Sequence, residues 1–231
     1  MSGALALTAD LCARIARPLA DPGPTPGLSY FTDDDYRAAI AEVLAQVPDS
    51  GALWVFAYGS LIWKPAFMPV EHRLGVIKGW HRSFCLKTTR WRGTPERPGL
   101  MMALERGGQC RGVVYRVAPD TVTESLDALW RREIGVKPVN HDARWVTVHT
   151  HAGPLRALTF TANPGGQSYA GKRTLEDTAA VIAEAVGVWG SCAEYLYETI
   201  THLEALGIRD RALWRLQALV ARNLIAGANN Q

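Results

Sequence analysis

The sequence predicts an α+β protein built on a small, mainly antiparallel sheet or closed barrel, with helices beside it. Three observations lead there. Seven strand candidates, over 53–58, 73–78, 80–89, 100–105, 110–117, 143–150 and 155–162, follow one another without regular intervening helices, a succession that suits a barrel better than a βα alternation. Helix signals gather near the C-terminus, where Thr174 precedes Asp177 and Ser191 precedes Glu194 at capping-box spacing. The 231 residues are 48% hydrophobic and 20% charged, which describes a folded globular chain rather than a disordered or coiled-coil one.

Residues 1–50 read as an N-terminal helical appendage. A short apolar helix comes first, then the linker Asp21-Pro22-Gly23-Pro24-Thr25-Pro26-Gly27, which its prolines keep out of helix and sheet. In a second helix Asp33 to Asp35 supply capping groups ahead of the stripe Ile40, Val43, Leu44, and Pro48-Asp49-Ser50-Gly51 ends it. Residues 51–231 then form the main domain. Leu53-Trp54-Val55-Phe56-Ala57-Tyr58 is aromatic and β-branched and stops at Gly59-Ser60, as a buried strand entering a tight turn does. A helix starting near Pro119-Asp120 precedes the last strands, and Gly187 and Gly207 sit where helix stops are expected.

Several function classes are disfavoured. Against 22 Asp and Glu stand 25 Lys and Arg, a net charge of +3 without runs of like charge, so the electrostatic footprint of a nucleic-acid-binding surface is missing. The longest uncharged stretch, Ala157 to Gly171, is broken by Asn163-Pro164-Gly165-Gly166 and is too short to span a bilayer. The opening residues lack the basic start and the uninterrupted apolar run of a secretory leader. Cys12, Cys85, Cys110 and Cys192 form no CxxC pair, so reduced thiols and a cytoplasmic location are expected.

The helix after Pro119 carries Val122, Leu126 and Leu129 at i, i+4 and i+7, and Glu133 is the next member of that row. A carboxylate therefore continues an apolar stripe. Burial and the negative helix end just before Gly135 both disfavour its charged form, which suits a general acid or base; the plainer reading is a surface Glu133 paired with Arg131 or Arg132. Tyr58-Gly59-Ser60-Leu61 lies between strand and loop, where glycine lets successive N–H groups converge on an anion; the plainer reading is an ordinary turn. His149 and His151, two apart on a probable strand with His141 nearby, raise a metal site, with outward polar positions as the alternative. Cys192 in a first helical turn raises a nucleophile, although no partner base is assignable. The eight tryptophans are scattered and read as core.

Taken in order, Trp54-Val55-Phe56-Ala57-Tyr58-Gly59-Ser60-Leu61-Ile62-Trp63, Gly79-Trp80-His81-Arg82-Ser83-Phe84, Arg92-Gly93-Thr94-Pro95 with Pro98-Gly99, Arg132-Glu133 and Glu194-Tyr195-Leu196 resemble the ChaC family of glutathione-specific γ-glutamylcyclotransferases over about residues 53–220. The resemblance implies a γ-glutamylcyclotransferase-like small β-barrel flanked by helices, a catalytic domain over 51–231 and no metal or organic cofactor. It implies a lyase reaction in which glutathione is cleaved to 5-oxoproline and Cys-Gly. Glu133 matches the family's catalytic glutamate. Ala57, Tyr58, Gly59, Ser60, Leu61 and Ile62 match its substrate loop, and Arg82 and Tyr195 fall in matching motifs as further substrate residues. Three positions depart from the family pattern: Ala57 stands where many relatives have glycine, the run Ile134 to Asn140 is longer than the usual Gly-x-Tyr turn, and Cys192 replaces an asparagine found in some relatives. Cyclisation of other γ-glutamyl amines or amino acids, and a non-enzymatic regulatory or interaction protein on the same fold, are the alternatives.

Overall fold

The computed structural model describes residues 4–47 and 52–228; the expected helix stop at 48–51 lies outside them. The first elements are α1 (Ala9–Ala13), β1 (Ser29–Tyr30), α2 (Asp33–Leu44), β2 (Trp54–Ala57), β3 (Pro69–Thr88) and β4 (Gly99–Val117), with a 3₁₀ turn at Ser60–Ile62. Next come α3 (Val122–Glu133), β5 (Val136–Lys137), β6 (His141–Thr150) and β7 (Gly153–Ala162). The chain ends with α4 (Leu175–Glu184), β8 (Val186–Gly187), β9 (Gly190–Ser191), α5 (Cys192–Ala205) and α6 (Arg211–Ala228). It folds into two compact units: a barrel unit with the described residues of Pro26–Ser83 and Ala103–Tyr169, and a helical unit with those of Met1–Thr25, Phe84–Met102 and Ala170–Gln231. The expected α+β barrel is therefore present.

The barrel closes in the order β2-β4-β3-β6-β7. β2 runs antiparallel to β4 from Trp54 opposite Arg116 to Ala57 opposite Val113, and β6 and β7 form a hairpin from His141 opposite Ala162 to Thr150 opposite Gly153. Closure is parallel: β7 meets β2 at Val55–Leu158 and β4 at Leu104–Thr161. All four β2 residues are buried, so the strand reads as a continuous apolar run rather than an alternation. Phe56, Ile77, Leu104, Val114, Leu158 and Phe160 are buried in this unit. Polar Thr159 is admitted because its hydroxyl donates to Phe56 O at 3.0 Å.

Four of the strand candidates are two strands. The candidates 73–78 and 80–89 are both parts of β3, and 100–105 and 110–117 are both parts of β4. The glycines that look like turns, Gly79 (φ 80°) and Gly107 and Gly108 (φ 111° and 65°), bend the strands without ending them. Nearby, His81 Nδ1 lies 3.2 Å from Gly107 O.

In α2 the cap is Thr32, whose hydroxyl accepts from Asp35 N at 3.3 Å while the Asp35 carboxylate accepts from Thr32 N at 2.7 Å. Of the aspartates expected to cap this helix, Asp35 completes the box and Asp33 pairs with Arg131 at 2.8 Å. The apolar row of α3 buries Leu126 and Leu129 together with Trp130, whose ring meets Phe160 edge-on at 5.3 Å.

In the helical unit Ile182, Leu196, Ile200, Leu203 and Val220 are buried. Thr174 and Ser191 cap α4 and α5 as expected, accepting from Asp177 N and Glu194 N, each at 3.0 Å. Gly207 (φ 69°) ends α5, with Ile208 N returning to Leu203 O at 2.8 Å. Gly187 is not a helix stop; it lies in β8, where a Cβ would sit 2.5 Å from Arg92 N. Residues near the start of the described chain belong to this unit's core: Leu7 is fully buried, Leu11 and Cys12 nearly so, and Leu7 N donates to the buried Gln217 Oε1 at 2.8 Å. Leu7→Ala leaves a cavity there and is expected to lower unfolding stability by about 3 kcal/mol. Urea denaturation of the two proteins measures it, and equal midpoints contradict the packing described.

Candidate functional site

The loop leaves the barrel where β2 ends. Ala57 is fully buried, and Gly112 of β4 lets it approach: a Cβ at Gly112 would fall 2.3 Å from Ala57 O. Arg82 on β3 is 7% exposed, and its Nε donates to Tyr58 O at 2.6 Å while Nη2 donates to Arg111 O. In a trans peptide the carbonyl and the following N–H point in opposite directions, so anchoring Tyr58 O also aims Gly59 N–H. The 3₁₀ turn begins with Ser60, and Ile62 N donates to Gly59 O at 2.9 Å. Ser60 and Leu61 N–H stand ahead of the first bond of that turn and have no acceptor within it. At the far side Tyr115 OH donates to Ile62 O at 3.3 Å; burial raises the pKa of this phenol.

Glu133 is the last residue of α3, its side chain 14% exposed. Arg132 Nε lies 3.4 Å from Glu133 Oε1, Nη2 donates to Ser60 Oγ at 2.9 Å, and Nη1 donates to Lys64 O. His141 Nδ1 lies 3.0 Å from Glu133 O, and Ile134 N closes the helix on Trp130 O at 2.7 Å. The surface pairing of Glu133 is set aside by its burial, although its neighbour is indeed Arg132.

Residues 29–37 brace this helix end within the barrel unit. Arg131 pairs with Asp127 and Asp33, each at 2.8 Å, and stacks over Tyr36 at 4.6 Å; its guanidinium holds the Asp33 carboxyl below the usual range. The longer run after Glu133 is tied to the same segment. Gly135 O accepts from Phe31 N at 3.1 Å, β5 pairs with β1, and Lys137 meets Asp35 at 2.6 Å, which together with the Thr32 bonds lowers Asp35 to about 2.

In the helical unit Tyr195 is buried, edge-on to Phe84 at 5.9 Å with Arg92 5.8 Å from its ring centre. Arg92 pairs with Glu194 and donates to Ser191 O at 3.0 Å. The nucleophile reading of Cys192 is overturned. Its Sγ is fully buried, donates to Arg92 O at 3.0 Å and accepts from Leu100 N at 3.3 Å. Burial outweighs the Leu100 N–H bond and the nearby Arg92 charge and pushes the thiol up to about 12. His149 lies in β6 but His151 is in the following turn, so the two imidazoles do not share a strand face, and among the described residues no three His, Cys, Asp or Glu side chains are grouped to hold a metal ion.

The family of ChaC-like proteins matches residues 53–223, which include the loop, Arg82, Glu133 and Tyr195. This chain belongs to that family. It is 37% identical over 184 residues to the glutathione-specific γ-glutamylcyclotransferase of Escherichia coli (strain K12), covering 79% of each chain, and 35% identical over 164 residues to glutathione-specific γ-glutamylcyclotransferase 1 of Mus musculus, covering 69% and 73%. A crystal structure of the glutathione-specific enzyme from yeast superposes with a TM-score of 0.68 at 24% identity, over 74% of this chain and 96% of that one, and supports the same fold.

Three contributors escaped the sequence reading. Arg132 adjoins Glu133 in the motif, but nothing in the spacing shows that it reaches Ser60. Gly112 carries no signal beyond a glycine inside an apolar strand. The brace at 29–37 rests on two-residue strands too short to show a period. One thiol provides a check on the helical unit: Cys192 of the native protein is expected to resist iodoacetamide at pH 8 and to react after unfolding. Peptide mapping decides this, and rapid native labelling would contradict its burial and raised thiol pKa.

Proposed function

We propose that this ChaC-like chain is a glutathione-specific γ-glutamylcyclotransferase that releases 5-oxoproline and Cys-Gly with Glu133 as its general acid and base. The observation that carries the reading is a half-buried carboxylate tied by its neighbouring arginine to a loop with inward-anchored carbonyls. The relatives at 37% and 35% identity, both glutathione-specific γ-glutamylcyclotransferases, support the substrate.

The α-nitrogen of the γ-glutamyl group starts as an ammonium without a lone pair, so Glu133 first accepts a proton from it. The free amine attacks the γ-carbonyl carbon, forming the ring C–N bond. As the tetrahedral centre collapses, the bond to the cysteinyl nitrogen breaks and the Glu133 carboxylic acid protonates that nitrogen, which would otherwise leave as an amide anion. A second proton passes from the ring nitrogen to solvent, and the released amine takes one up, so two protons leave the first nitrogen and two reach the second. Meanwhile the Gly59, Ser60 and Leu61 N–H groups of the Ala57–Ile62 loop hold the α-carboxylate and bend the chain toward a five-membered ring. Arg82 serves by anchoring Tyr58 O and so aiming the Gly59 N–H. Tyr195 enters through its motif, and Tyr195→Phe separates its hydroxyl from its packing. The partner is a small molecule, without nucleic acid or membrane. The four cysteines are all buried, which fits a reducing compartment and supports a cytoplasmic location.

Glu133→Gln keeps shape and hydrogen bonding but cannot ferry a proton, and kcat for glutathione is expected to fall by about 10²- to 10⁴-fold. The assay measures 5-oxoproline from glutathione and from γ-glutamyl-alanine, with circular dichroism as the folding control. A folded Gln variant with half the wild-type rate removes Glu133 from the chemistry; faster release from γ-glutamyl-alanine than from glutathione removes the substrate assignment.

A further inference from the structure

We propose that Arg132 is a positioning residue that sets the Ser60–Lys64 turn against the Glu133 carboxylate, so that anion-holding loop and proton-carrying group form one rigid assembly. The proposal rests on the reading of Glu133 and the Ala57–Ile62 loop given above. Its basis is that three nitrogens of one side chain reach three different groups: Nε toward Glu133 Oε1 at 3.4 Å, Nη2 to Ser60 Oγ at 2.9 Å, and Nη1 to Lys64 O. Ser60 opens the 3₁₀ turn and Lys64 lies just beyond it, with Lys64 N returning to Ser60 O at 2.8 Å. A single planar fork thus holds both ends of the turn.

A simple ion pair between Arg132 and Glu133 does not account for this geometry. Two of the three contacts go to loop atoms, and both of these are hydrogen bonds, whereas the carboxylate lies farther from the guanidinium than Ser60 Oγ does. The Arg132 side chain is 22% exposed, so its donors are partly withdrawn from water and need such acceptors. Lysine brings the same charge but no planar fork and cannot span the three groups at once. Charge and fork are therefore separable by substitution.

The experiment compares Arg132→Lys, Arg132→Met and Ser60→Ala with the wild-type protein by two readouts. Amide hydrogen exchange over 58–64 is followed without substrate, and kcat and KM are measured with glutathione. Arg132→Met is expected to speed exchange in that segment about tenfold, the loss of a charge-assisted hydrogen bond, to raise KM and to lower kcat. Arg132→Lys recovers most of kcat, through the restored charge beside Glu133, while KM and loop exchange stay raised. Ser60→Ala reproduces part of the exchange and KM change, and adding it to Arg132→Met raises KM no further. Lys and Ala are mild enough to carry the test if the Met variant does not fold. Unchanged exchange over 58–64 in the Arg132 variants, or full recovery of KM and exchange by lysine, overturns the proposal. Because exchange is read in the substrate-free protein, a wild type inactive on glutathione would refute the substrate assignment while leaving the loop measurement able to decide this one.

Discussion

The arrangement at the candidate site depends on where β2 stops. Both faces of this strand are buried, its ladder to β4 is fixed from Trp54 to Ala57, and β7 closes the barrel against Val55. The apolar run cannot slide, because a shift of one residue would exchange every side chain between the faces of the sheet. Ala57 O then rests where Gly112 leaves room for it. From that fixed point the chain leaves the barrel, and the loop begins at the same place every time the barrel closes. The helix bearing Glu133 is referenced to the same barrel through Trp130 against Phe160 on β7.

Arginine does much of the remaining positioning, mostly through backbone oxygens. Arg82 is spent on Tyr58 O and Arg111 O, and Arg132 on Lys64 O and Ser60 Oγ. In the helical unit Arg92 joins Ser191 O and Glu194. A buried guanidinium contributes little net stability, since desolvation offsets much of what its bonds return. What it supplies is direction: a planar fork with fixed angles sets where each carbonyl points. That is the property a loop needs if its N–H groups are to hold an anion.

The sequence made the barrel legible because β2, β6 and β7 carry their own patterns, and it made the site legible because the loop and Glu133 sit in contiguous motifs. It was misleading where one residue type serves two ends. Gly79, Gly107 and Gly108 adopt the positive φ of turns yet bend continuous strands, and Cys192 has a helix dipole beside it yet is governed by burial. It was silent where partners are distant: Leu7 is held by Gln217, 210 residues later, and β1 finds β5 across a separation of about a hundred residues with only two residues in each strand. Pairings of that length leave no periodicity to read. The same holds for Arg132 and Ser60, 72 residues apart.

The role proposed for Glu133 bears on the geometry of its ion pair. In that role the carboxylate would take a proton from an ammonium and then surrender it to a departing nitrogen. A tight charge-assisted bond would close to about 2.8 Å, whereas Arg132 Nε stands 3.4 Å from the carboxylate. The guanidinium is bonded to Ser60 and Lys64 as well, so one side chain joins the loop to the helix end that bears Glu133. Closing the separation to the carboxylate would draw the fork away from those two partners, so the ion pair could tighten only by releasing the loop.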